Sequence, residues 1–162
     1  MPTRLEPAGE QPNGEASHSG AGASHAAGEP VLDLSGEAIE AFSDIELHPQ
    51  LTELTLMHNR LQEIEGLEPL TRLEKLNLRA NRIRQVRGLQ HCVHLRDLEL
   101  YENQLVQLCG LDGLARLEML DVSFNQLTKI EGLEHVSEND FRSSGDMFKQ
   151  DINDQADGAQ AG

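Results

Sequence analysis

Four carboxylates and two aromatic rings crowd the second half of this sequence. Asp97, Glu99, Tyr101 and Glu102 lie in LRDLELYENQLVQLCGLDGLAR, and Asp121 and Phe124 lie in LEMLDVSFNQLTKIEGLEHV. Acids set around aromatics are the chemistry of a surface that receives lysine and arginine side chains. The rings supply apolar contact and the acids supply attraction. An ordinary solvated acidic face is the competing reading, because scattered exposed aromatics are common. Which one applies depends on where the fold puts these residues.

Other residue groups point to weaker chemistry. His91-Cys92-Val93-His94 has metal-binding residue types, but Cys92 takes the place that Leu70 and Leu114 take elsewhere, so it points inward. The two histidines then need not converge, and a fourth ligand is missing, so no metal is expected. Cys109 falls at a corner position shared with Glu65, Arg87 and Glu131, too far from Cys92 in the pattern for a disulfide. Arg79, Arg82, Arg84 and Arg87 make a basic run, but they radiate around one coil and form no nucleic-acid patch. No nucleophile–base pair, phosphate loop or cofactor motif appears, so neither an enzyme nor a cofactor is expected.

The composition narrows the class further. The 162 residues are 38% hydrophobic but only 3% aromatic, with no Trp, so leucine must carry the core. A formal net charge of −15 disfavours nucleic-acid binding and favours a basic partner, although solubility accounts for part of it. No apolar run approaches the roughly 18 residues of a membrane span. The N-terminus lacks a secretory h-region, and two cysteines without such a signal fit a reducing compartment, so the nucleus or cytoplasm is expected.

The elements that must position the acids and aromatics are repeats. Asn59, Asn81, Asn103 and Asn125 lie 22 residues apart, as do Gly66, Gly88, Gly110 and Gly132. Four units fit the pattern at 51–72, 73–94, 95–116 and 117–136, and a degenerate unit precedes them with Glu37 where Asn is expected. A constant period over four units predicts an α/β-class leucine-rich-repeat solenoid. Each L-x-L gives a short strand with leucines inward, and stacking makes a parallel sheet on the concave face. The asparagine amides should satisfy backbone groups where the chain leaves the sheet. The glycines should turn corners, and 3-10 or irregular turns should line the convex side.

In this register the outward residues form columns. Val31, Glu53, Lys75, Asp97 and Met119 make the first, and Asp33, Thr55, Asn77, Glu99 and Asp121 the second. Ser35, Met57, Arg79, Tyr101 and Ser123 make the third, followed by Gly36, His58, Ala80, Glu102 and Phe124 just before the asparagines. Glu99, Tyr101, Glu102, Asp121 and Phe124 thereby come together as the expected partner-binding set. Residues 1–29 read as a disordered acidic tail, 30–136 as the repeat domain and 137–162 as a second acidic tail. Phe141, Met147, Phe148 and Ile152 offer a weak cap. Without one, the last coil would be bare and prone to self-association.

The wording of two consecutive units, LRDLELYENQL then LEMLDVSFNQLTKIEGLE, resembles the regulatory subunit 7 family of protein phosphatase 1. That family's repeats also run at this length, with I-E-G-L corners and the phrases L-Y-D-N and S-F-N. The resemblance covers about residues 31–136 and is that of an N-terminal fragment or truncated form, since the family has many more repeats. It implies a non-catalytic regulator whose concave face binds the phosphatase catalytic subunit, with Glu102 and Phe124 at matching contact positions. A generic repeat scaffold of the ciliary or splicing type, without phosphatase binding, is the alternative, because a fold alone does not assign a partner.

Overall fold

The computed structural model describes residues 30–131, 133, 141 and 142. The expected disordered tail at 1–29 and the glycine corner at 132 lie outside them. Six short strands stack in parallel into one sheet: β1 (Val31–Asp33), β2 (Glu53–Thr55), β3 (Lys75–Asn77), β4 (Asp97–Glu99), β6 (Met119–Asp121) and β8 (Phe141–Arg142). Two further strands, β5 (Gln107–Leu108) and β7 (Lys129–Ile130), pair in parallel on another side of the last coils. The register follows the repeat: Leu32, Leu54, Leu76, Leu98 and Leu120 lie side by side in consecutive strands.

Each coil closes around leucine. Leu32, Leu54, Leu76, Leu98 and Leu120 are buried, while their strand neighbours face outward. The alternation of a strand thus sends one residue in and the next out. Among the described residues the return segments hold one 3-10 turn, Phe42–Asp44, the paired strands β5 and β7, and otherwise tight turns. Leu67 O accepts from Leu70 N, Leu89 O from Cys92 N and Leu111 O from Leu114 N, so the apolar side chains come inward every third residue.

At the corners, Gly66, Gly88 and Gly110 have φ of +69°, +76° and +79°. Gly88 has a second constraint: a Cβ there would sit 2.5 Å from Ile64 O of the preceding coil. Backbone from one coil approaches backbone from the next too closely for any side chain.

The asparagines tie neighbouring coils. Asn81 Oδ1 accepts from Leu61 N at 3.1 Å, and its Nδ2 donates to Leu56 O at 2.8 Å and to Leu78 O at 3.1 Å. Asn59, Asn103 and Asn125 repeat the arrangement, serving Ile39, Ile83 and Leu105 N–H groups. Two of the partners of Asn81, Leu61 N and Leu56 O, belong to the coil before it. This explains why the degenerate first coil tolerates Glu37: Leu34 O is reached by Asn59 Nδ2, at 2.8 Å, from the coil that follows.

Residue 136, the end of the repeats by spacing, is not the end of the sheet. Leu120 pairs with Phe141 and Asp121 with Arg142, and Val122 N donates to Arg142 O at 2.8 Å. The step from Leu120 to Phe141 is 21 residues, one fewer than the period, so a fixed spacing looks for leucine at 142 and finds arginine. Phe141 packs against the core as a partly buried residue. β8 therefore pairs with the edge of β6 over two residues. Met147, Phe148 and Ile152 lie outside the described residues.

Candidate functional site

The residues just before the asparagines have an unusual backbone. Gly36, His58, Ala80, Glu102 and Phe124 have φ of +76°, +55°, +52°, +56° and +57°. This left-handed conformation swings the chain out of the strand so that the next residue, the asparagine, can turn inward. Glycine and asparagine adopt it cheaply, whereas other L-residues pay roughly 1–2 kcal/mol. Four of the five positions hold side chains that the conformation disfavours. The conformation belongs to the turn of every coil, so what distinguishes Phe124 is that a large ring occupies a place where a positive φ disfavours one.

Phe124 is 63% exposed, the most exposed of the large apolar residues among the described residues. Its ring lies 4.9 Å from that of half-buried Tyr101, centroid to centroid, tilted by 53°. That separation and tilt fall within the favourable range for aromatic pairs. The Tyr101 ring also carries a cation from the coil before: the guanidinium carbon of Arg79 is 4.5 Å from the ring centroid. Arg79, Tyr101 and Phe124 thus form a ladder of planar groups across three successive coils, spaced close to the roughly 4.8 Å between neighbouring strands.

The acids lie beside this ladder. Glu99 pairs with Asp121 across the β4–β6 register, and Asp97 with Met119. Burial pushes the Glu99 carboxyl up from its ordinary range, with the Asp97 and Asp121 charges adding and Arg79 opposing. Its Oε2 accepts from Asn77 Nδ2 at 3.0 Å and lies 4.0 Å from Arg79 Nε. Asp97 is raised by burial too, against the pull of Lys75 and Arg142, and its Oδ1 is buried with no hydrogen-bond partner among the described residues. Asp121 has a structural task as well: its Oδ1 accepts from Ser123 N at 2.9 Å, as Asp33 Oδ1 does from Ser35 N at 3.0 Å two strands before Asn77 makes the same turn with Arg79 N. Glu102 is exposed.

Of the five residues singled out from sequence, Tyr101 and Phe124 are in ring contact, Glu99 and Asp121 are neighbours in the sheet, and Glu102 sits one coil before Phe124 at the equivalent place. The repeat spacing puts Arg79 in the outward column beside Tyr101, but nothing in the sequence marks it out from Arg82, Arg84 and Arg87 as the cation that stacks on the ring, and Arg142 is not legible at all. Arg142 reaches the face only because the last step is short. The face is therefore not a plain acidic patch but one with cations set into its acids.

The remaining candidates behave as inert parts. Cys92 is buried, and burial, helped by the Glu68 charge, holds its thiol up at about 11. It and Cys109 are both unpaired thiols. His94 Nδ1 lies 2.9 Å from Thr71 O, a bond that ties the coil turn rather than a ligand. No cluster of three or more potential metal ligands exists among the described residues, and no helix there is long and apolar enough to cross a membrane.

Two family models match the sequence, one of paired leucine-rich repeats over residues 49–91 and one of leucine-rich repeats over 71–127. The chain carries leucine-rich repeats. Among solved structures, this leucine-rich-repeat chain is similar to an internalin (InlF) from Listeria monocytogenes, with 29% identity and a TM-score of 0.56 over 65% of this chain and 32% of that one. The functional domain of InlJ, also from Listeria monocytogenes, matches at 20% identity and a TM-score of 0.53 over 72% of this chain and 30% of that one, a likeness of fold alone. This chain spans about a third of the length of the internalins it matches. No curated protein matches the sequence. A leucine-rich-repeat scaffold is consistent with a protein-interaction module.

Proposed function

We propose that the chain is a non-catalytic regulatory module that docks a basic protein surface on the outward face of its last full coils, and that the partner is the catalytic subunit of protein phosphatase 1. The observation that carries the docking reading is Phe124: a large ring, 63% exposed, held at positive φ against Tyr101. The fold requires the backbone conformation there but not the phenylalanine, since Gly36, His58 and Ala80 serve in other coils. A strained, exposed aromatic supported by a second ring is a preorganised anchor. Glu102 and Asp121 beside it favour a lysine- or arginine-bearing partner, as does the net charge of −15. The phosphatase is favoured by the resemblance of the Tyr-Glu-Asn and Ser-Phe-Asn units, in which Glu102 and Phe124 match contact positions. Regulation of that enzyme would place the protein in the nucleus or cytoplasm.

Calorimetric titration of the chain with the phosphatase catalytic subunit tests this. Phe124→Gly suits the purpose because glycine accepts the local φ of +57° without strain, so lost binding cannot be blamed on lost folding. We expect Phe124→Gly to weaken binding roughly thirtyfold at any salt concentration, as loss of an anchor of about 2 kcal/mol does. Glu102→Gln should weaken it only at low salt. Binding that is unchanged in the double variant removes this face from the interface, and absence of binding at high concentration removes the phosphatase.

A further inference from the structure

We infer that Phe124 is the seat of an arginine side chain of the partner, and that this face selects arginine over lysine. The inference rests on the docking reading above and specifies the chemistry of the group that docks. The molecule already contains a worked instance of the contact. Arg79 lays its guanidinium on the Tyr101 ring at 4.5 Å from the centroid, while its Nε lies 4.0 Å from Glu99 Oε2. An aromatic face and a carboxylate two residues earlier in the chain together hold a guanidinium. One coil later related parts recur, shifted by one residue. Asp121 follows Glu99 in register, Ser123 takes the place of Tyr101, and the ring stands one residue further on, at Phe124, 4.9 Å from Tyr101 with most of its surface exposed. Glu102 adds a second carboxylate at the place equivalent to Phe124 in the coil before.

Charge and shape then decide between occupants. An acidic or phosphorylated group would face Asp121 and Glu102. An aliphatic side chain would cover the ring but strip water from those carboxylates without pairing them. Lysine would satisfy the charge as a compact, strongly hydrated point. Arginine stacks its plane on the ring and still directs N–H groups sideways to a carboxylate. Asp121 Oδ1 already accepts from Ser123 N, which fixes the carboxylate and leaves its second oxygen and Glu102 to receive such donors.

Two capped pentapeptides, Gly-Ser-Arg-Ser-Gly and the same sequence with lysine, would be titrated into the full chain. The readout is the backbone NMR signals of residues 97–124 in every variant, together with the Phe124 ring signal where that ring is present, assigned among the four phenylalanines by its loss in Phe124→Gly. The arginine peptide should shift that ring signal and bind about threefold or more tightly than the lysine peptide, the size expected of an exposed cation–π contact. The preference should vanish in Phe124→Gly and survive in Phe124→Tyr, while Glu102→Gln should weaken both peptides alike. Equal binding of the two peptides at this face, or an arginine preference that persists in Phe124→Gly, overturns the arginine seat and leaves the docking reading standing. If neither peptide perturbs residues 97–124 at millimolar concentration, the docking reading falls and the arginine seat with it.

Discussion

Two columns of residues one step apart in the chain follow opposite rules. Asn59, Asn81, Asn103 and Asn125 are identical, and the first three are buried. Immediately before them stand His58, Ala80, Glu102 and Phe124, all different, yet all with φ between +52° and +57°. The inner column is chosen for its side chain, because only a short amide both accepts from one coil and donates to two. The outer column is constrained in its backbone and unconstrained in its side chain. Faithful framework and variable face are thus two consequences of one turn: the left-handed residue points out so that the asparagine can point in.

The sharpest way to break this contrast is to remove an inner amide. Asn81→Ala or Asn103→Ala leaves a buried N–H without its acceptor and takes one of two amide donors from each of two carbonyls, and we expect a loss of about 3 kcal/mol in urea melts. In a solenoid of this size that is a large share of the total. Asn125, which is only half-buried, should cost about 1 kcal/mol when replaced, because water can reach the groups it serves. Equal melting of all three variants and the parent would show that the amides contribute nothing.

The glycine corners come next. Gly88→Ala forces a Cβ to 2.5 Å from Ile64 O at a φ of +76°, and about 2 kcal/mol should be lost. At Gly110 the nearest atom is Val86 O at 3.1 Å, and at Gly36 nothing lies within 4 Å, so the cost should fall in the order Gly88, Gly110, Gly36. Thermal melts of the three alanine variants read that order directly, and a flat series would mean that φ alone, not coil-to-coil approach, sets the price.

The outer column should respond with the opposite sign. Ala80→Gly relieves the disfavoured φ of +52° and should be neutral or stabilising by up to about 1 kcal/mol, although glycine ordinarily destabilises. Glu102→Gly should behave likewise. A clear loss of stability in both would show that these side chains hold the fold and are not merely carried by it.

The smallest effect concerns the acids of the face. Glu99 and Asp97 are raised by burial in the folded chain, so the fold binds protons more readily than the unfolded chain does. Their contribution to stability is then fully present below the ordinary carboxylate range and lost as pH rises through the raised values. Stability should climb modestly on acidification from neutrality into that range. Glu99→Gln keeps an acceptor for Asn77 Nδ2 and should flatten part of the climb while raising stability at neutral pH. A stability profile that instead falls on mild acidification, and falls equally in Glu99→Gln, would show that ion pairs with Arg79 and Lys75 outweigh burial.

Much of the molecule was legible from the sequence because its structure is local and repeated. The spacing of Leu54, Leu76 and Leu98 set which residues face inward, and the asparagine and glycine periods set where each coil leaves the sheet and turns. Once those were known, Glu99 had to lie beside Asp121. What only the tertiary structure decided depends on contacts between coils that no single repeat contains. The left-handed backbone at Phe124 is invisible in a pattern where that place varies freely. Arg79 reaches the Tyr101 ring because its side chain is long enough to cross one coil, and its neighbours Arg82, Arg84 and Arg87 offered the same letters with other directions. The strand at Phe141 closes after 21 residues rather than 22, since hydrogen bonding to β6 and burial of the ring against the core fix its register, and neither is bound to a constant count of residues.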